Sequence, residues 1–179
     1  MINKTQGSRL IAFGRRSAAA LCLIFLLSAF TSCEKPVVYT MHTVEAPESK
    51  VPNVSIVELN YPERLGDYPK ASYLTDAVSA AAEFDRYGFS EDVKKTYGED
   101  WFQSSGLVMV LLSTNSSYGY TVTDMDVSKD LIHVYIQEIK PSGAFDLLKN
   151  RAVLIGIAKT EVSADAEVKA EIETVDEGQ

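Results

Sequence analysis

A chain of 179 residues, 46% apolar and 23% charged, has the composition of a folded protein and the length for one hydrophobic core rather than two. Its charge is divided: four basic residues and no acidic ones precede Cys33, which leaves +4 on residues 1–32, while 13 basic against 25 acidic residues leave −12 on the rest. A body so acidic is repelled by phosphates and anionic headgroups, which counts against nucleic acid as a partner and against electrostatic adhesion to a membrane.

The N-terminus offers another route to the membrane. Lys4, Arg9, Arg15 and Arg16 precede an uncharged run of 14 residues, Ser17 to Phe30, which is the length of a signal-peptide core and short for a spanning helix. Phe30-Thr31-Ser32-Cys33 follows and resembles a bacterial lipobox, in which small residues admit the signal peptidase and the cysteine thiol takes diacylglycerol. Phe30 stands where leucine is usual, and Cys22 sits mid-run behind Leu21, a poor cleavage residue. Ordinary secretory cleavage after Ser32 and an uncleaved anchor are the competing readings. Mature Cys33 would have no partner for a disulfide, which favours lipidation with palmitate-type chains at Cys33 and an extracytoplasmic, cell-surface location.

Residues 33–53 contain three of the six prolines and no sustained period, and read as a tether. Val54 to Leu59 suits a first strand, and YPERLGDYPK after it reads as loop. Leu74, Ala77, Val78, Ala81 and Phe84 predict one amphipathic helix, capped by Ser72 or Thr75 and ending near Gly88. SEDVKKTYGEDWF is a second, shorter helical or turn-rich stretch, with Trp101 and Phe102 as an aromatic plug. Residues 54–105 are thus a strand and helical lead-in.

Residues 106–160 read as β structure. Gly106 to Ser113 is a nearly continuous apolar run, the pattern of a strand covered on both faces. Tyr118 to Val127 and Leu131 to Ile139 form a predicted hairpin, with Ile132, Val134 and Ile136 on one face and His133 and Tyr135 on the other. Arg151 to Lys159 is a further strand. Residues 161–179 alternate charge with apolar side chains and predict either an edge strand or an acidic tail.

Catalytic signatures are missing. There is no G-x-S-x-G, no H-E-x-x-H and no phosphate-binding glycine loop, and the two histidines are His42 in the tether and His133 in a strand. His133 reads as a sheet residue, and the chain as no enzyme, without cofactor. Asp124, Asp126, Ser128 and Asp130 alternate like the first half of a calcium loop, but Lys129 stands at the glycine position and Tyr135 at the bidentate glutamate position. No metal site is expected there. The NSSYGY stretch is the remaining candidate: Asn115, Tyr118, Gly119 and Tyr120 have the turn chemistry and amphipathic area of a partner-binding loop, with core packing of Tyr120 as the alternative.

The order YGEDWFQSSGLVMVLL, NSSYGYTVTDMDV, IHVYIQEIKPSGAF and AVLIGIAK over residues 97–160 resembles the C-terminal domain of the PrcB family. These are exported lipoproteins named for a subunit of a surface protease complex. The resemblance rests on Gly119-Tyr120, Pro141 and the ending Ile157-Ala158-Lys159. It implies an accessory or stabilising role beside an exported protease. The same loop is faintly similar to the N-P-T-T-G-Y loop of chagasin-type cysteine-protease inhibitors through Asn115, Gly119 and Tyr120, with Ser116 in place of the proline and no R-P-W-like loop.

The expected architecture is mainly β (α+β), a small antiparallel β-sandwich or curled sheet preceded by one helix. The expected function is protein–protein contact by a membrane-anchored lipoprotein. A solute- or ligand-binding lipoprotein and a chagasin-like protease inhibitor are the alternatives.

Overall fold

The computed structural model describes residues 47–115, 117–143 and 147–177, with the side chain of Asn115 excepted. The signal-peptide and lipid-attachment readings, Cys33 and His42 included, lie outside the described residues.

In chain order the elements are β1 (Val54–Glu58), β2 (Lys70–Leu74), α1 (Ala77–Arg86), α2 (Glu91–Thr96), a 3-10 turn (Trp101–Gln103), β3 (Ser105–Asn115), β4 (Gly119–Val127), β5 (Leu131–Lys140), β6 (Leu148–Ala158) and β7 (Glu167–Asp176). They make two sheets, β1-β6-β3-β2 and β4-β5-β7. The domain is a mainly β sandwich, as expected.

β3 is the centre of it. Val108, Val110 and Leu112 project toward Val122 of β4 and Ile132, Val134 and Ile136 of β5, while Leu107, Met109 and Leu111 pack under Phe84, Phe89, Tyr97 and Phe102. Strict alternation within a continuous apolar run therefore serves two cores, each buried Leu, Val or Ile contributing about 1.5–3 kcal/mol. The result is three layers: helices and loops, the larger sheet, then the smaller sheet.

The antiparallel expectation needs one correction: β5 and β7 run parallel, Ile132 beside Val168 and Ile136 beside Ile172. The reason is connectivity. Between them the chain crosses to the larger sheet as β6, so it returns in the direction it left. Of residues 161–179, Glu167–Asp176 thus supply an edge strand, and both the lead-in and this strand complete the sheets of residues 106–160.

The helical stretch also departs from expectation. KASYL forms β2 on the edge of β3, so neither Ser72 nor Thr75 caps; Asp76 does, its side chain accepting from Ser79 N at 2.8 Å. The buried positions of α1 are Ala80 and Phe84, whereas Val78 is 81% exposed and Ala81 is exposed as well. The later start leaves a helix of 10 residues, and its packing onto the sheet selects a stripe one step round from the predicted one. The end near Gly88 is as expected. Phe89 N donates to Phe84 O at 3.0 Å and Gly88 N to Asp85 O at 3.4 Å, a double closure that needs the left-handed backbone of Gly88, φ +67°.

Residues 49–53, assigned to the tether, are already docked. Lys50 N donates to Val122 O at 3.1 Å along the free edge of β4, Ser49 Oγ accepts from Val122 N at 3.2 Å, and Gly156 N donates to Asn53 O at 3.3 Å.

Candidate functional site

Strand directions bring three connections to one end of the sandwich: residues 59–69 after β1, 116–118 between β3 and β4, and 141–147 between β5 and β6. The first two are anchored by polar side chains within the larger sheet. Asn150, 3% exposed on β6, donates from Nδ2 to Tyr61 O at 2.8 Å and Glu63 O at 2.7 Å, and Ser113 Oγ accepts from Leu65 N at 3.3 Å. These bonds replace strand pairing for a loop with two prolines, and Leu59 and Leu65 bury its apolar side chains.

Arg151 does the same for the second connection. Its Nη1 donates to Tyr118 O at 2.8 Å, and its guanidinium lies 5.3 Å from the centre of the Tyr120 ring. Tyr120 is only 4% exposed and packs between the sheets. Its hydroxyl donates to Glu138 Oε1 and touches Thr114 Oγ1; Thr114 donates to the same oxygen at 2.8 Å, and Thr174 Oγ1 donates to Oε2 at 2.9 Å. Burial, and next the bond to Glu138, push the Tyr120 phenol well above its ordinary pKa. A carboxylate 8% exposed is tolerated because three hydroxyls satisfy it.

Over this network lies a hollow of about 530 Å³, lined by Arg64, Tyr68, Thr114, Tyr118, Glu138, Lys140, Leu148 and Thr174 among others. Arg64, Tyr68 and Lys140 are exposed at its rim, and Leu147 and Leu148 expose apolar surface beside it. Tyrosine and arginine side chains around a concave centre have the composition of a contact surface, and Leu147 and Leu148 add exposed apolar area to it.

The predicted loop residues are therefore divided. Tyr118 is half-buried at the hollow and available; Gly119 and Tyr120 are buried, and Tyr120 is corrected to a core residue that supports the site from beneath. The backbone of Asn115 ends β3, opposite Leu148. Arg64, Tyr68, Glu138, Lys140 and Arg151 were not anticipated. The signal for two of them was present: Glu138 continues the inward register of Ile132, Val134 and Ile136, and Arg151 that of Val153, Ile155 and Ile157. A charged residue on an inward register marks a buried polar site.

The other candidates do not assemble. Ser128 Oγ donates to Leu131 O at 3.0 Å and closes the hairpin, while Asp130 accepts from Ser163 Oγ at 3.2 Å and ties the hairpin to the β6–β7 connection; among the described residues no acidic, histidine or cysteine cluster has metal-binding geometry. His133 lies on the outer face of the smaller sheet, with Nδ1 3.1 Å from Tyr135 Oη and Nε2 3.7 Å from Glu171. No helix among the described residues is long and apolar enough to cross a membrane. Comparison with known protein families, curated proteins and solved structures gives no match for this chain.

Proposed function

We propose that this chain is a lipid-anchored, extracytoplasmic protein that works by protein–protein contact through the loop end of its sandwich, as an accessory or stabilising partner of an exported protease. The anchor rests on the basic segment, apolar run and Cys33 of the sequence, and the protease on the resemblance over residues 97–160. The observation that carries the contact reading is the meeting, at one end of the sandwich, of two pinned connections with the start of β6, which exposes Arg64, Tyr68, Leu147 and Leu148 around Tyr118. Nothing in this reading calls for catalysis: the Glu138 carboxylate is engaged by hydroxyls, and His133 lies on the outer face of the smaller sheet.

The test is cross-linking on intact cells followed by affinity capture of the anchored protein, with wild type, Tyr118→Ala and Cys33→Ser compared. Loss of a specific exported partner in Tyr118→Ala supports the reading; a partner list indifferent to that change refutes it. Cys33→Ser should release the protein from the membrane fraction.

A solute-binding role is the second reading, favoured by a hollow of about 530 Å³, within the size range of small-ligand sites. A ligand-dependent rise in melting temperature without any protein partner would select it. Inhibition in the manner of chagasin is the weaker alternative, since Tyr120, one of the residues behind that similarity, is buried.

A further inference from the structure

We infer that the β1–β2 connection is a docking ridge for an acidic, extended segment of the partner protein; the inference rests on the contact reading above and gives that partner its chemistry. The ridge has a hollow on each side, of about 530 Å³ and about 320 Å³, and Arg64 lines both. Lys140 stands in the first, Lys70 and Arg86 in the second. These four cations face two lining carboxylates, and one of those, Glu138, is already engaged by three hydroxyls. Asp67 is the other.

The smaller sheet's outer face has the opposite balance. The hollow on the smaller sheet's outer face is lined by Asp124, Asp126, Glu171 and Glu173 with no basic residue. The side chains of Arg64 and Lys140 make no hydrogen bond or ion pair among the described residues. Lys70 Nζ donates to Tyr87 Oη at 2.8 Å, and the Arg86 guanidinium lies 5.2 Å from the centre of the same ring with Glu83 3.9 Å away, so both cations are held at the second hollow by partners that leave donors to spare. Tyr61, Tyr68 and Tyr118 offer ring surface beside these charges. The hollows are concave on both sides of a ridge, which suits a segment laid across it better than a flat bilayer.

The experiment measures fluorescence anisotropy of a labelled short peptide alternating Glu and Leu, mixed with the full chain in neutral detergent. The counterpart with Gln replacing Glu is the control. The acidic peptide should bind at least about tenfold more tightly than the Gln peptide, in a salt-sensitive manner, and Arg64→Glu/Lys140→Glu should weaken it by about tenfold or more. Arg64→Gln/Lys140→Gln should give a smaller loss in the same direction, with the melting temperature of both variants recorded. Equal binding of the two peptides, or unchanged binding by both variants, overturns the inference. Charge-dependent attachment to phosphatidylglycerol vesicles over phosphatidylcholine ones, lost in the reversal variant and without peptide binding, assigns the cations to lipid and also overturns it. In the cell capture assay, a partner retained by the reversal variant but lost by Tyr118→Ala sinks the acidic-segment inference alone; a partner list indifferent to Tyr118→Ala sinks the contact reading itself.

Discussion

Replacing Tyr120 by Phe separates the support beneath the loop end from the surface above it. The ring keeps its place between the sheets and under Arg151, so only the hydroxyl is lost. Glu138 then retains Thr114 at 2.8 Å and Thr174 at 2.9 Å but loses its third donor. A hydrogen bond to a charged group contributes about 1.5–3 kcal/mol, and two surviving donors place the expected loss at the lower end, about 1.5–2 kcal/mol. Urea unfolding read by fluorescence of the single tryptophan, Trp101, which meets Tyr97 edge-on at 5.0 Å, measures it. The pH dependence gives an independent signature. Because the folded phenol titrates above its unfolded value of about 10, its contribution is complete below that pH and lost as pH rises beyond it, at up to about 1.4 kcal/mol per pH unit. Phe has no such loss, so the gap between wild type and variant should narrow in alkali. Tyr73, also raised by burial, is common to both proteins and cancels. A variant as stable as wild type at neutral pH, or a gap that stays constant above pH 10, would refute the network as described.

Gly88→Ala should destabilise the domain by more than the ~1 kcal/mol of an ordinary left-handed alanine, because its Cβ would run into the Asn60 carbonyl as well; urea midpoints test this. Gly156→Ala places a methyl 2.6 Å from the Trp101 ring and should cost about 1–3 kcal/mol, with a smaller penalty in a Trp101→Leu background; additive effects in the double variant would reject the contact. Val78→Asp should change stability by no more than about 0.5 kcal/mol while Ala80→Asp, at a fully buried site, prevents folding, a contrast readable by circular dichroism that fixes which face of α1 meets the sheet.

The strands were legible where alternation was long. Residues 106–113 and the pair 131–139 carry enough apolar positions to fix both existence and facing, and those faces are the ones buried. β2 was not legible, since KASYL has five residues and gains its strand character only from pairing with β3. The phase of α1 failed for a related reason: alanines at 77, 80, 81 and 82 offer several equivalent stripes, and contact with the sheet chooses among them. Of the candidate site, the tyrosine–glycine loop was visible from composition, but its division into a buried Tyr120 and an available Tyr118 depends on register. Arg64 and Lys140 lie 76 positions apart in sequence and meet at one hollow only because three connections share an end of the sandwich.

The docking of Lys50 onto Val122 bears on how copies of this protein tolerate one another. A free sheet edge is a template for another chain's strand. On the smaller sheet, the segment before β1 occupies part of the β4 edge, and β7 at the other margin carries Glu167, Lys169, Glu171 and Glu173, whose charges disfavour annealing with a copy. Recruitment by strand addition is therefore discouraged along that sheet, and a domain built this way resists fusion with its own kind.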